Sequence, residues 1–296
     1  MNCHSTWVVK LFVFIFICLI ESNLAYSNSL KVPNKQSEED MIHQYIIDLL
    51  SISLNDVNSP APKLTIETVN FPQVTQQRNF HLLRRELVDL YWAGTNTQRE
   101  KNYLPIRVPI FGGLLGHRVS LVHNDNLANF NRIATLEQLR EYTACQLEHW
   151  PDYKILKANG LVVLSGARFD LMFKMLAKKR CDYFPRSVFE GYSEFRAAQK
   201  KYPNIAIADN FILQYDFPLY FFVHINNHRL ASKLEKGLKR LNEQGQLKKF
   251  QIAHLKKEKL ISKFSKSKKQ LIKLKNPYLP TTPPIFRNNL WDYLVN

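Results

Sequence analysis

The sequence predicts an α/β protein with mixed, mostly parallel sheets, and three observations support this prediction. Runs typical of strands alternate with amphipathic runs typical of helices over residues 30–225. The opening of the chain reads β-α-β-α-β, an order that favours parallel strands. Residues 168–194, RFDLMFKMLAKKRCDYFPRSVFEGYSE, read as a helix, a strand and then Arg186 at the carboxyl end of the strand, where ligands of such sheets gather.

The helix predicted over residues 168–180 is the element around which the other predictions are arranged. Hydrophobic side chains cover most of its circumference, and Asp170, Lys174 and Lys178 form one polar seam. Such a helix packs against a broad surface. The strand that follows begins at Cys181 and is stopped by Pro185. Arg186 is then either a ligand-binding residue or an arginine that is solvated or paired with Glu190.

The remaining elements follow in chain order from periodicity, capping residues and breakers. Strands are predicted at 30–33, 63–69, 87–92, 143–147, 161–165, 205–213 and 218–225, and helices near 40–50, 75–83, 135–142, 152–158 and 188–200. Glycines 112, 113 and 116 are expected to form a turn, because G-G-x-x-G between two strand-like runs is not a dinucleotide-binding loop. A basic helical region follows to residue 275, and the proline-rich tail NPYLPTTPPIF is expected to be extended.

The first 25 residues predict a secretory signal peptide. Lys10 precedes LFVFIFICLI (11–20), which is too short to span a bilayer, and a cut near Ala25 fits; an uncleaved anchor is the alternative. The 296 residues are enough for one large domain or two lobes. Cleavage would leave Cys145 and Cys181, for which buried free thiols are favoured over a disulfide.

The net charge of +16 is concentrated in one segment. Residues 229–275 hold sixteen Lys and Arg against three Glu, which is +13 of the total. A pattern of cations interleaved with aromatic stacking residues is missing from this segment, and so is a known reading motif, so a nucleic-acid partner is not predicted. The segment is interpreted as a solvated helical surface, with attraction to anionic lipid or acidic polymer as the alternative.

The sequence contains none of the common catalytic or cofactor motifs. H-E-x-x-H, C-x-x-C, G-x-S-x-G and the P-loop are all missing. His224 and His228 share a helical spacing, but two histidines without a third ligand make a poor metal site. No cofactor, metal or catalytic residue is therefore predicted.

The block VDLYWAGTNTQREKNYLPIRVPIFGGLLGHR (88–118) and the opening stretch resemble the periplasmic solute-binding proteins of type 2, in particular the family 3 extracellular proteins that serve polar amino acids. The resemblance implies two lobes joined by crossings near 119–124 and 211–217. It places residues 26–120 and 217–296 in one lobe and 125–210 in the other. It also implies a periplasmic monomer that binds a small solute for an inner-membrane transporter or a sensor.

The same resemblance implies a set of ligand-binding residues. Arg99 falls at the position that clamps the ligand's carboxylate, after a loop that includes Gly94 and Thr97. In the second lobe, His149 and Trp150 replace the usual hydroxyl at a helix start, which suggests aromatic packing. Trp92 and Tyr183 are further candidates, as walls of the cleft. Arg186 is also a candidate, because it falls at the position where the family usually has an acidic residue that receives an ammonium group.

From these positions we expect Arg99 and Arg186 to face one cleft. Two unpaired guanidiniums in one cleft would favour a ligand with one or two anionic groups. Two other functions remain open on the sequence alone. One is a hydrolase that uses Glu148 and His149, and the other is a basic surface protein with a vestigial cleft.

Overall fold

The computed structural model describes residues 29–35, 40, 42–56, 63–72, 75–264, 269–285 and 289–295. The predicted signal peptide, with Cys3 and Cys18, lies outside the described residues. Within the described ranges, no helix combines the length and apolar character needed to cross a membrane.

The first of the two layers of strands is built mostly from the N-terminal third of the chain. Its strands are β1 (Ser29–Pro33), β2 (Thr65–Val69), β3 (Leu90–Gly94), β4 (Tyr103–Ile106) and β10 (Leu219–His224). β1 and β2 form a parallel two-stranded sheet, and β10 lies between β3 and β4, antiparallel to both, in a three-stranded sheet. We refer to these two small sheets together as the first sheet. The Lys31 backbone joins β1 to the start of β3, because its N–H donates to Asp89 Oδ2 (2.7 Å) and its carbonyl accepts from the Asp89 N–H (2.8 Å).

The second sheet has six strands in the order β11-β9-β5-β8-β6-β7. They are β5 (His117–His123), β6 (Thr143–Leu147), β7 (Val162–Gly166), β8 (Tyr183–Ser187), β9 (Ile205–Gln214) and β11 (Gln270–Lys273). β6 is parallel to β7 and β8, and β11 is parallel to β9. β5 is antiparallel to both β8 and β9. The mixed α/β fold that the sequence predicts is thereby confirmed.

Twelve α-helices are described in the resolved ranges. They are α1 (His43–Leu54), α2 (Gln76–Arg84), α3 (Thr97–Asn102), α4 (Leu127–Phe130), α5 (Leu136–Leu139), α6 (Pro151–Ala158), α7 (Phe169–Ala177), α8 (Gly191–Gln199), α9 (His228–Glu243), α10 (Gln246–Lys257), α11 (Leu260–Phe264) and α12 (Leu290–Val295). The predicted Thr75 cap is present, since the Thr75 side chain accepts from the Arg78 N–H.

α7 packs as the sequence predicts, against the second sheet. Phe169, Met172, Phe173 and Leu176 are buried, and they form one cluster with Phe184 of β8. This cluster fixes the helix on the sheet face that carries Arg186, because residues 184 and 186 point to the same face of the strand.

Two short segments before α9 carry the chain from one layer of strands to the other, and we call them the crossings. The first lies between Ile106, the end of β4, and His117, the start of β5; the second lies between β9 and β10. In the first segment Gly112 and Gly113 have φ of 57° and 81°, values that suit glycine, so the predicted turn is present. β5 begins at His117 and belongs to the six-stranded sheet. The exact lobe boundaries remain a prediction.

The C-terminal region departs from the predicted pattern. Residues 270–273 lie in the segment that was expected to be helical and to belong to the first lobe, but they form β11 at the edge of the second sheet. A free strand edge offers unpaired backbone groups, and pairing with β9 satisfies them whatever the local helix propensity.

Beyond β11, the described residues 274–285 and 289–290 make up what we call the C-terminal strap. It contacts the second crossing, where Asn276 Nδ2 donates to the Asp216 carbonyl (2.9 Å). It then reaches the first sheet, where the Thr97 N–H donates to the Tyr278 carbonyl (3.0 Å). The Ile285 N–H donates to the Arg107 carbonyl (2.8 Å), and the Leu290 N–H to the Gly112 carbonyl (2.9 Å). The strap therefore bonds to both crossings.

Cys145 and Cys181 form a disulfide, with their Cα atoms 5.6 Å apart. The expectation of free thiols is wrong. Cys145 lies in β6, and Cys181 lies just before β8, the neighbouring strand, so the parallel pairing of the two strands brings their starts together. Both cysteines are buried, which is why burial alone suggested free thiols.

We predict that loss of this disulfide destabilises the protein by about 3 to 4 kcal/mol, because the bridge closes a loop of 36 residues in the unfolded chain. Urea unfolding with and without reductant measures the change. The matched control is the double variant Cys145→Ser/Cys181→Ser, whose midpoint should not move on addition of reductant. An unchanged midpoint for the native chain under reductant would contradict the prediction.

Candidate functional site

A cavity of about 70 Å³ lies between the two sheets, beside both crossings. It is lined from the first sheet by the end of β3, from the crossings by Phe111 and Phe217, and from the second sheet by residues of β5, β8 and the starts of α6 and α8. The cavity thus lies at the carboxyl end of β3, and ligands of α/β sheets bind at the carboxyl ends of strands.

The two walls of this cavity differ in chemistry. The first-sheet wall is mainly aromatic and apolar, with Trp92, Phe217 and Leu219, and its polar members are Asp40 and Gln76. The second-sheet wall carries five charged side chains: Arg118, Asp152, Arg186, Glu190 and Glu194. A bound molecule would therefore contact an apolar face and a charged face.

Arg118 forms the first part of the charged wall. Its side chain is almost completely buried, and its Nη2 lies 2.6 Å from Asp152 Oδ1 in the first turn of α6. Its Nε donates to the Tyr215 hydroxyl (3.0 Å), and that hydroxyl donates to Asp152. The start of β5, the end of β9 and the start of α6 are thus joined by one set of charge-assisted hydrogen bonds.

Arg186 forms the second part. Its Nε and Nη2 donate to the two carboxylate oxygens of Glu194, at 2.6 and 2.7 Å, in a two-pronged contact. Its Nη2 also donates to Glu190 Oε1 (2.5 Å). The guanidinium carbon lies 4.6 Å from the centre of the Trp150 ring and 5.2 Å from that of Phe169. Arg186 is therefore a paired, stacked cation.

The charged wall holds more carboxylates than guanidiniums. Three carboxylates, from Asp152, Glu190 and Glu194, share Arg118 and Arg186, and Asp40 adds a fourth carboxylate to the cavity lining. The pKa of Glu190 is raised to about 7, chiefly by burial; Arg186 opposes this shift, and the neighbouring Glu194 adds to it. Burial alone would lower the pKa of Arg186, but Glu190 and Glu194 outweigh it and raise that pKa above its usual value. Burial raises the pKa of Glu194 as well, so ionisation is disfavoured at both glutamates of this acidic excess.

Arg99 lies behind the first-sheet wall. Asn96 caps α3 by accepting from the Arg99 N–H (2.8 Å), which fixes the start of the helix next to β3. The buried guanidinium donates to the Gly94 carbonyl, to Gln76 Oε1 and, across to the second sheet's loop, to the His149 carbonyl at 3.4 Å. Within the described residues, no salt bridge involves Arg99. Burial lowers its pKa to about 10, against the opposing influence of Tyr91 and Asp152.

The structure brings half of the predicted site residues to the cavity. Those that line it are Trp92, Gly94, Trp150 and Arg186. Arg99 bonds to two lining residues, Gly94 and Gln76, without being one itself. The two unpaired guanidiniums expected in the cleft are not found, because Glu190 and Glu194 pair with Arg186.

The other predicted residues lie elsewhere. Thr97 faces the C-terminal strap, where its hydroxyl donates to the Tyr278 carbonyl (3.1 Å). Tyr183 packs against Phe130 on the opposite face of β8, because residues 183 and 186 alternate across the strand. His149 contributes its carbonyl, while burial and then Arg99 lower the pKa of its imidazole to about 4.

Sequence reasoning named Arg186 and gave Glu190 as an alternative partner for it, but it missed the other residues of the charged wall. Glu190 and Glu194 follow Arg186 at intervals of four residues, a signal that could have identified a paired arginine rather than a free one. Arg118 and Asp152 are 34 positions apart in the sequence, and no local pattern joins them. Nothing in the sequence marks Tyr215 as a partner of Arg118 until β9 is placed beside β5.

Comparison with known proteins gives matches at the level of structure alone. No protein-family model and no curated protein matches the sequence. An ancestral arginine-binding protein bound to arginine superposes with a TM-score of 0.56 and 16% identity over 75% of this chain and 96% of its own. The amino acid ABC transporter substrate-binding protein AbpA from Streptococcus pneumoniae, bound to L-arginine, gives 0.56 and 14% over 81% and 98%.

A third solved structure is the sensor domain of a histidine kinase, described as similar to periplasmic binding proteins. It superposes with a TM-score of 0.53 and 15% identity over 77% of this chain and 96% of its own. The chain has the two-lobed fold of the periplasmic solute-binding proteins. The resemblance predicted from residues 88–118 is confirmed at the level of the fold, and in this fold the cavity lies in the interlobe cleft.

The described part of this solute-binding fold contains no group of three or more His, Cys, Asp or Glu side chains arranged to hold a metal ion. The three acidic side chains of the charged wall are instead directed to guanidiniums. The charged wall offers a bound molecule hydrogen bonds and charge pairing from these side chains.

We predict that Arg186→Met destabilises the protein by about 3 to 5 kcal/mol, because it leaves Glu190 and Glu194 buried without their cation. Urea unfolding near pH 7.5 measures this. Arg180→Met, at an exposed arginine just before β8, is the matched control and should cost less than about 1 kcal/mol.

The triple variant Arg186→Met/Glu190→Gln/Glu194→Gln should regain much of the loss, since it removes the stranded charges together with the cation. Equal, small effects of Arg186→Met and Arg180→Met would show that the pairing contributes little.

Proposed function

We propose that the protein binds a small amino-acid-like solute, with a carboxylate and a cationic group, in the cleft between its two lobes and does not transform it. The observation that carries this proposal is the arrangement of charge around the cavity. Arg99 lies on one side with no carboxylate paired to it among the described residues, and the opposite wall holds more carboxylates than guanidiniums.

The carboxylate of the solute is assigned to Arg99. Among the described residues, the buried Arg99 guanidinium bonds to neutral oxygens and to no counter-charge of the kind that normally compensates burial. Gln76, which bonds to Arg99 and lines the cavity, gives the solute a route to this group. An incoming carboxylate would replace the Gln76 contact with a charge-assisted pair.

The cationic group is assigned to the charged wall, and Glu190 is its principal partner. Of the two Glu190 oxygens, Oε1 makes the contacts with Arg186 and Arg118. Ionised Glu190 is disfavoured without a further cation, so a ligand cation would be bound where the protein lacks one. The presence of Arg186 at the family's acidic position does not oppose this, because Arg186 and its two glutamates have a net charge of −1 when both glutamates are ionised.

The size of the cavity indicates that the solute enters by separation of the lobes. About 70 Å³ is well below the roughly 300 to 1,000 Å³ of most ligand pockets. The two crossings are short segments of the kind that absorb hinge rotation. Opening would widen the cleft and expose Arg99 by breaking its long contact with the His149 carbonyl.

The similar structures support a binding role outside the cytoplasm. Two of the three are binding proteins whose bound ligand is arginine, an amino acid with a carboxylate and two cationic groups. One serves an ABC transporter, and the third is a sensor domain. We accordingly propose a periplasmic or extracellular protein that delivers its solute to a transporter or a sensor.

The hydrolase alternative finds less support in the geometry. Glu148 is exposed, and neither Glu148 nor His149 lines the cavity. The charges that do line it are engaged in pairs suited to recognition. A binding function therefore fits the cleft better than catalysis by Glu148 and His149.

We predict that a thermal-shift screen of amino acids, amines and dicarboxylates will yield hits that carry both a carboxylate and a cation, because binding to the native state alone raises the melting temperature. Arg99→Met should weaken the best hit by about 2 to 5 kcal/mol, measured by calorimetry, since it removes one partner of a desolvated charge pair. Arg78→Met, at an exposed arginine on α2, should leave affinity unchanged.

The outcomes of this screen separate the proposals. Hits restricted to amines, with affinity unchanged in Arg99→Met, would overturn the carboxylate assignment. Turnover of a hit would replace binding by catalysis. A screen with no hit in any class would favour a vestigial cleft.

We predict that affinity for the cationic solute falls as pH decreases from about 8 to about 6, because the ionised fraction of Glu190, with a pKa of about 7, falls from roughly nine tenths to one tenth. Calorimetry of the best hit at several pH values measures this. Glu190→Gln should bind more weakly at pH 8, and its affinity should change little over the same range. A pH dependence that is identical in Glu190→Gln would assign the titration to another group.

A further inference from the structure

A strongly basic surface covers the helical region that follows β10. Seven lysines of α9, α10 and the turn after α10 are exposed, and together we call them the basic surface: Lys233, Lys236, Lys248, Lys249, Lys256, Lys257 and Lys259. They account for about half of the +13 that the sequence concentrates in residues 229–275.

These lysines are not neutralised by the protein. The acidic residues of the region are directed to other cations: Glu235 pairs with Lys239 (2.7 Å), and Glu258 pairs with Arg196. Asp56, on the neighbouring segment after α1, pairs with Arg240 (2.5 Å). Among the described residues, no salt bridge includes any of the seven lysines. Glu243, at the end of α9, is the exposed acid of the region.

The basic surface is the outward side of helices whose other side is in the core. α9 buries Leu234, Leu238 and Leu241, and α10 buries Leu247 and Leu255. The core contacts therefore fix both helices, and the lysines are free of any packing role except Lys248, which lies 5.8 Å from the centre of the Tyr293 ring. Packing in the core explains the positions of the two helices, but it does not explain why their outward sides carry so many lysines.

We propose that the basic surface docks the protein on an anionic phospholipid bilayer. Lysine is a compact, hydrated point charge, which suits diffuse attraction to many headgroups more than recognition of one rigid anion. No large hydrophobic side chain is exposed among the described residues 229–264, so the contact is electrostatic and does not insert. Single-stranded nucleic acid would require aromatic stacking side chains between the cations, but no aromatic side chain of the described residues 229–264 is exposed, and Tyr293 lies beside one lysine at the rim of the surface.

Docking would add a property that solute binding does not require. The lysines lie outside the lining of the interlobe cavity, so the two contacts can form independently. The basic surface would hold the protein, with its cleft, close to a membrane that contains a transporter or a sensor. The inference stands or falls separately from the identity of the solute.

The test is co-sedimentation of the full chain with vesicles of phosphatidylcholine alone or with about 30% phosphatidylglycerol, at about 25, 100 and 300 mM NaCl. We expect binding at least about tenfold tighter to the anionic vesicles, with most of the difference lost at the highest salt concentration. Replacing all seven lysines by Gln should reduce binding to the anionic vesicles by at least about tenfold.

The matched control replaces seven exposed lysines elsewhere and so changes the net charge equally: Lys31, Lys63, Lys101, Lys154, Lys174, Lys178 and Lys200. It should retain binding within about threefold. All variants keep the apolar segment 11–20, so any insertion of that segment contributes equally and also appears with phosphatidylcholine alone. If the sevenfold variant unfolds, the two sets Lys233→Gln/Lys236→Gln and Lys256→Gln/Lys257→Gln/Lys259→Gln are tested separately, and each should weaken binding.

Three results would overturn the proposal. Equal losses of vesicle binding in the sevenfold variant and its control would show that binding depends on net charge alone and not on the basic surface. Equal binding to both kinds of vesicle would exclude electrostatic docking. Binding to an acidic polymer such as a single-stranded oligonucleotide, without binding to anionic vesicles, would assign the surface to a different class of partner.

Discussion

The buried charge network of Arg118, Asp152, Arg186, Glu190 and Glu194 is the constraint on which the cleft depends. Each guanidinium is removed from water, so each must be met by carboxylates at hydrogen-bonding distance, or the fold would bear an uncompensated buried charge. Meeting that requirement fixes β5, β8, α6 and α8 relative to one another. The second-sheet wall of the cavity is the surface of this network, so its shape is determined by charge pairing more than by apolar packing.

The elements of the fold were accessible from the sequence because each carries a local signal. The strand and helix periods, the Thr75 cap and the Gly112–Gly113 turn depend on a few neighbouring residues and survive in the structure. β11 was not accessible, since its conformation comes from the open edge of β9 and not from its own residues. The disulfide was likewise decided by the pairing of β6 with β8, which brings together cysteines that are 36 positions apart.

The candidate site was accessible only in part, for a related reason. Arg99 could be located because its loop resembles a known motif, and Arg186 because it ends a strand. The partners of the buried cations could not be predicted in the same way. Those of Arg118, for example, lie in α6 and just after β9, far from Arg118 in the sequence. Tyr183 shows an avoidable error: strand alternation alone separates it from Arg186. Long-range pairing, rather than residue type, sets what each charged group can bind.

The C-terminal strap has a kinetic consequence for a cleft that must open. It starts from an edge strand of one sheet, bonds to both crossings, and reaches the Thr97 N–H at the start of the helix that carries Arg99. Rotation of one lobe away from the other must therefore bend the strap or break several of these hydrogen bonds, each with a net contribution of about 0.5 to 1.5 kcal/mol. Contacts that break on opening stabilise the closed arrangement and slow its opening. The residence time of a bound molecule would then be set at the carboxyl end of the chain, far in sequence from the residues that touch it.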